Sequence, residues 1–192
     1  MEAVKHDAVD APTGGPGSGP APADRAESAL AALALDDLLA LNEGELQALY
    51  RDASVPALDA LNGDLRGRML AVRVLSARVW SVLRRFAGSR FFPWRGKSFS
   101  PTGSDEGRGT NRLFSDRLRL LPFQTSIGPS RAGDFDAVQL DYDLPKNPFF
   151  IRAIKDEIRE LRPGLYLGQA YLQLPKGTHL VLYFGLTSES DS

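Results

Sequence analysis

Two carboxylates two positions apart, Asp141 and Asp143, flank Tyr142 in the stretch "LDYD". Residues two apart on an extended strand share a face. The pair therefore reads as a metal-binding or acid/base couple in which repulsion drives one carboxyl toward neutral pH. The structural alternative is a strand end feeding the "LPKNP" turn, where aspartate is common. A second acidic group stands in "IKDEIRELR", with Asp156, Glu157 and Arg159. Read as a strand, this stretch sends Asp156 inward with Ile154 and Ile158 and puts Arg159 on the other face. An inward charge needs a partner, which must come from another strand; Arg66, Arg95 and Lys97 are the candidates. Asp156 is then a polar anchor for a ligand head group or a general base, and its structural alternative is half of an ion pair at the end of a sheet. Asp143 and Asp156 are the two candidate catalytic residues.

Other chemistries are narrower. The chain has no cysteine, which excludes disulfides, thiol nucleophiles and thiolate metal sites. It has only two histidines, His6 and His179, so no multi-histidine metal centre is expected. His179 opens the run "THLVLYF" and no Gly-x-Ser-x-Gly elbow is present, which leaves serine-histidine-acid catalysis without its frame. Phe91, Phe92, Trp94 and Phe99 interleave with Arg95 and Lys97, a mixture that can stack nucleic-acid bases, but the alternation equally fits a strand with aromatic residues in the core. "PTGSDEGRGTN" lacks the Gly-Lys-Ser/Thr ending of a phosphate-binding loop and reads as a loop or lid.

The elements that position these residues divide the chain of 192 residues. The net charge of -1 conceals an asymmetry, because Leu65 to Lys97 carries nine Arg or Lys and no acid. Residues 1–24, rich in Ala, Pro and Gly, have too little apolar surface to offset ordering entropy and read as a disordered tail. Residues 25–62 read as a helical extension, with two segments meeting near Gly44 and a short turn opened by Pro56 and closed by Asn62-Gly63. From Gly63 to Leu186 short apolar runs, "RLRLLPF", "AVQLDYD", "LYLGQAYLQL" and "HLVLYFGL", are punctuated by Gly or Pro and read as strands. The last two form a hairpin through Leu174-Pro175-Lys176-Gly177. Residues 187–192 read as an acidic flexible tail. "MLAVRVLSARVWSVLRRFAG" patterns as an amphipathic helix over about 70–87, with arginines opposite an apolar arc. It either docks on the sheet or touches a membrane surface. Residues 150–161 fit a helix or a strand.

Several ordered fragments resemble the bacterial proteins named for a GXWXG motif together with the domain of unknown function that follows it. Gly63-Asp64-Leu65-Arg66-Gly67 matches the motif with Leu65 in the tryptophan position, and Trp94-Arg95-Gly96-Lys97-Ser98-Phe99 is similar to the family's W-x-G-K-x-F segment. Tyr142-Asp143 with Pro145, Asp156-Glu157-Ile158-Arg159, Leu167-Gly168 and Tyr183-Phe184 follow in the family's order. The helical pattern after the motif and an insertion around residues 146–151 depart from it. The resemblance implies an antiparallel calycin-like β-barrel, similar in outline to lipocalin-type folds, and favours a strand over 156–161. It implies no activity, since the family has none established.

Many short strands ending in a hairpin independently suit a closed barrel, and small barrels either fill with side chains or keep room for one small ligand. The expected fold is thus mainly β (α+β), a barrel with N-terminal helices and one Arg-bearing helix. In it, Gly63 permits a sharp turn, Leu65 plugs the floor and Gly67 allows close packing. The expected function is binding of a small, largely apolar, lipid-like ligand without metal or cofactor. Leu65, Phe99, Tyr142, Tyr166, Leu167, Tyr171 and Tyr183 would supply area, with Asp156 and Arg95 or Lys97 orienting a polar group. The alternatives are a cofactor-independent isomerase, cyclase or hydratase using a pocket Asp with a tyrosine, and a protein- or membrane-interaction scaffold built on the amphipathic helices. No apolar run approaches the roughly 18 to 20 residues of a membrane span, no export signal opens the chain, and a cytoplasmic protein with no nucleic-acid partner is expected.

Overall fold

The computed structural model describes residues 28–72, 94–115 and 117–188. Eight strands follow one another in chain order: β1 (Gly63–Val72), β2 (Trp94–Pro101), β3 (Glu106–Leu113), β4 (Arg119–Pro129), β5 (Asp136–Asp141), β6 (Ile154–Arg162), β7 (Leu165–Leu174) and β8 (Gly177–Ser188). Each pairs antiparallel with the next, and β1 pairs with β8, so the sheet closes into a barrel. The mainly β barrel expected from the sequence is what the chain forms. Closure gives every strand a paired neighbour on both sides, so no strand among the described residues stands at a sheet edge.

Before the barrel come a 3₁₀ turn at Asp37–Ala40, helix α1 (Glu43–Asp52) and a second 3₁₀ turn at Leu58–Leu61. The break between helical segments falls at Leu41-Asn42 rather than at Gly44. The Asn42 side chain accepts from the Glu45 amide at 3.1 Å, and the Glu45 carboxylate accepts from the Asn42 amide at 2.8 Å. This reciprocal cap satisfies two otherwise orphaned donors and sets the start of α1, leaving Gly44 inside its first turn.

Two apolar layers result. Inside the barrel, Leu65, Phe99, Phe123, Leu140, Ile158 and Leu186 pack together, and Leu58 and Leu61 of the second 3₁₀ turn plug one end. Outside it, Leu35, Leu38, Leu46 and Tyr50 cover Leu161, Leu165, Leu167 and Tyr183. Strands β6 to β8 are therefore buried on both faces, which is why "LYLGQAYL" reads as an unbroken apolar run instead of an alternation.

Three sequence expectations change. Leu70 to Val72 continue strand β1 rather than opening a helix. The wheel over that region is also compatible with period two at its start, and pairing with β8 decides. The rest of the expected Arg-bearing helix, like the 1–24 tail, lies outside the described residues. Within "PTGSDEGRGTN", Glu106 to Asn111 form β3 instead of a loop. Gly109 serves there as a spacer, since a Cβ at that position would stand 2.4 Å from the Phe123 ring. Strand β8 runs to Ser188, past the tail boundary expected at 187. The stretch 150–161, left open between helix and strand by its sequence, forms strand β6 over Ile154–Arg162, the reading the resemblance favoured for 156–161. No helix among the described residues is long and apolar enough to cross a membrane.

Candidate functional site

The plug at Leu58–Leu61 leaves a hollow toward the other end of the barrel. It is a cavity of about 150 Å³ with mostly apolar walls, among them Met69, Leu113, Leu121, Ile154 and Phe184. Below it the rings of Phe99, Phe123 and Tyr142 meet edge to face in series, with centroids 5.3 Å apart at each contact. That stack and the Leu65 side chain fill the floor.

Two β-bulges let polar groups into this apolar wall. Trp94 and Lys97 both line the cavity, yet residues three apart on a regular strand face opposite sides. The β2–β3 register slips between Trp94 and Gly96, with Gly96 at φ +135°. The extra residue reverses the parity so that Trp94 and Lys97 point the same way. Arg95, the residue absorbed by the bulge, is turned out into solvent. The second slip lies between β3 and β4, where Leu121 takes φ +55°. Its carbonyl there accepts from Asn111 Nδ2 at 3.2 Å.

Lys97 is the centre of the polar cluster. Its ammonium donates to Asp156 Oδ2 at 2.9 Å, to Tyr142 Oη at 2.5 Å and to Asn111 Oδ1 at 3.1 Å. Tyr142 donates to Asp156 Oδ2 at 3.0 Å and accepts from Asn111 Nδ2 at 3.2 Å. Trp94 Nε1 donates to Asn111 Oδ1 at 3.1 Å. Four ring centroids, those of Phe184, Phe123, Tyr142 and Trp94, stand 5.0 to 5.6 Å from Lys97 Nζ. This aromatic cage compensates part of the lost hydration. Burial lowers the Lys97 pKa, with the attraction of Asp156 opposing the shift. Burial raises the Tyr142 hydroxyl well above the ordinary tyrosine value, and the Asp156 charge adds to it.

Gly67 makes room for the cage. A Cβ there would lie 2.5 Å from the Trp94 ring and 2.8 Å from the Gly96 backbone, which is the close packing expected of this glycine.

The sequence candidates separate into three groups. Lys97, Tyr142 and Asp156 line the cavity, and Lys97 is the inter-strand partner that Asp156 required. Leu65, Phe99 and Tyr166 are interior but belong to the plugged end; Tyr166 donates to the Ala60 carbonyl at 3.1 Å. The remaining candidates do not face the cavity. Arg95 is exposed because of the bulge, and Arg66 alternates with Leu65 onto the outer face. Tyr183 donates to Gln47 of α1 at 2.6 Å, and Leu167 lies in the same outer layer. Tyr171 donates to Gln169 and stacks under Arg131 outside the barrel. Asp143 pairs with Arg152 at 2.5 Å, both half-exposed, so the Asp141/Asp143 couple is a strand end as its structural reading held. Asn111 is not among the sequence candidates, because its stretch reads as a loop. The period-two spacing of Gly107, Gly109, Asn111 and Leu113, with Gly109 set between Phe99 and Phe123, was the available signal.

The other acid of "IKDEIRELR", Glu157, is fully buried on the outer face. It accepts from Tyr50 Oη at 3.1 Å, Ser130 Oγ at 2.6 Å and the Arg131 amide at 3.0 Å. This ties the N-terminal layer and the β4–β5 connection to the barrel wall. Among the described residues no three His, Asp or Glu side chains converge as a metal site would require.

No family model matches the chain and no curated protein matches it. A solved structure of a protein from Thermomonospora curvata is similar over 86% of this chain and 99% of that chain, with 20% identity and a TM-score of 0.47.

Proposed function

We propose that the protein binds a small, largely apolar molecule in the barrel cavity, anchored through Asp156. The observation that carries this is one buried carboxylate oxygen, Asp156 Oδ1, which has no hydrogen-bond partner among the described residues while its side chain lines the hollow. A buried acceptor left open costs free energy, and a cavity of this kind supplies the place for its partner. An apolar cavity of about 150 Å³ holds a molecule of roughly benzene size. The lipid-like ligand expected from the sequence thereby narrows to a single ring or a short chain within the cavity. Native mass spectrometry of the purified protein should retain a small adduct, and toluene should raise the melting temperature of the emptied protein. Ala170→Phe, which fills the hollow next to Asp156, should cancel that rise. Toluene without effect, together with an interior packed solid in a crystal structure, would remove the reading.

A second reading, an acid/base enzyme, is favoured by the contact of Tyr142 Oη with Asp156 Oδ2 at 3.0 Å. It places a carboxylate base and a hydroxyl acid on one cavity wall. Exchange of α-protons from a small cyclic ketone in deuterated water, lost in Asp156→Asn, would support it; exchange no faster than in buffer would exclude it for ketones.

A further inference from the structure

The valences of the polar cluster can be counted atom by atom. Lys97 has three N–H groups, and they go to Asp156, Tyr142 and Asn111. Tyr142 has one O–H, given to Asp156. Asn111 has two N–H directions, given to the Leu121 carbonyl and to Tyr142. The indole N–H of Trp94 goes to Asn111. Every donor in the cluster is spent. What stays open on the cavity wall is an acceptor, Asp156 Oδ1.

Charge restricts the partner further. The Lys97–Asp156 ion pair sums to zero. Lys97 Nζ takes the Oδ2 side at 2.9 Å, which leaves Oδ1 as the open acceptor. A ligand carboxylate would bring an uncompensated negative charge against Asp156 and meet no free donor. An ammonium would leave a net positive charge in an apolar hollow. A neutral hydroxyl or N–H satisfies the open oxygen and adds no charge.

We propose that the cavity selects neutral ligands of about benzene size that donate one hydrogen bond to Asp156 Oδ1, phenol-like or short alcohol-like molecules, and rejects carboxylates of the same shape. This rests on the ligand-binding reading above, and it sets the ligand's polar group where that reading sets only its size. The cluster acts as a pre-organised acceptor: Lys97, Tyr142 and Asn111 hold the carboxylate in one orientation, so the ligand does not have to order it.

The test titrates the full chain with phenol, anisole and benzoate at neutral pH, followed by calorimetry or ligand-observed NMR. Phenol and anisole share a ring and differ in the donor. Phenol should bind about tenfold or more tightly than anisole, the loss expected for one hydrogen bond to a charged acceptor, and benzoate should not saturate. In Asp156→Asn the amide oxygen keeps the Lys97 and Tyr142 bonds and the amide N–H₂ takes the Oδ1 place; both ligand oxygens can accept from it, so the preference for phenol should disappear. The comparison on the native chain is decisive even where that variant fails to fold. Equal affinities for phenol and anisole, or saturable benzoate binding, would overturn the donor requirement and leave the apolar cavity reading intact. Failure of both phenol and anisole to bind would overturn that reading, and this inference with it.

Discussion

Lys97 Nζ lies 2.9 Å from Asp156 Oδ2, with the two side chains 3% and 6% exposed, and the residues come from strands on different sides of the barrel. Removing one partner strands the other as a lone buried charge. Lys97→Met should cost about 3–5 kcal/mol of stability, whereas Lys97→Met with Asp156→Leu should recover most of it. Denaturant titration of the three proteins checks this; a double variant no more stable than the single one would contradict it.

Alkali should weaken the fold through tyrosines. Burial first, then the charges of Glu157 or Asp156, raise Tyr50, Tyr142 and Tyr171 above their ordinary value of 10.0. A group whose folded pKa is raised contributes stability that is complete below the unfolded pKa. That contribution is lost as pH climbs from about 10 toward the folded value. Stability should fall steadily above pH 10, and ultraviolet titration of the native protein should show these three tyrosines still protonated where the unfolded chain is ionised. Tyr142→Phe should reduce the slope.

Gly67→Ala should push the Trp94 ring off its place. The added methyl would lie well inside van der Waals contact with that ring and with the Gly96 backbone, an overpacking worth about 1–3 kcal/mol. Because Trp94 also donates to Asn111, the same change should loosen the acceptor cluster and shift the tryptophan fluorescence to longer wavelength. Unchanged fluorescence and stability would show that the wall yields.

The outer layer should matter as much as the interior. Leu46, fully buried between α1 and the barrel wall, should cost about 2–5 kcal/mol when cut to alanine. Loss of that order in equilibrium unfolding would mean that the N-terminal leucines are structural, which leaves the scaffold reading without its free helix face. A Leu46→Ala protein as stable as the parent would restore it.

Arg95→Ala and Asp143→Asn should each stay within about 0.5 kcal/mol of the parent stability and leave phenol binding untouched. Both side chains face solvent. A change in affinity from either would place it nearer the ligand than the fold does.

Period two in the strands made several relations readable from the residues alone. Asp156 must travel with Ile158 into the interior, it must find a cation on another strand, and residues 165 to 186 must turn back at Pro175-Lys176. The glycine of the opening motif, Gly67, was legible as a point of close packing. These follow from local geometry, because neighbours on one strand cannot choose their faces independently.

Which aromatic residues look into the hollow was settled only by the assembled barrel, for two physical reasons. A bulge shifts the count by one, so Arg95 left the interior and Trp94 joined Lys97 there. Strands β7 and β8 are apolar on both faces, so composition could not tell the inner Phe184 from the outer Tyr183. The N-terminal leucines cover one of those faces, and only their docking made Tyr171 and Tyr183 part of the outer wall and left Asp156 Oδ1 as the open acceptor within.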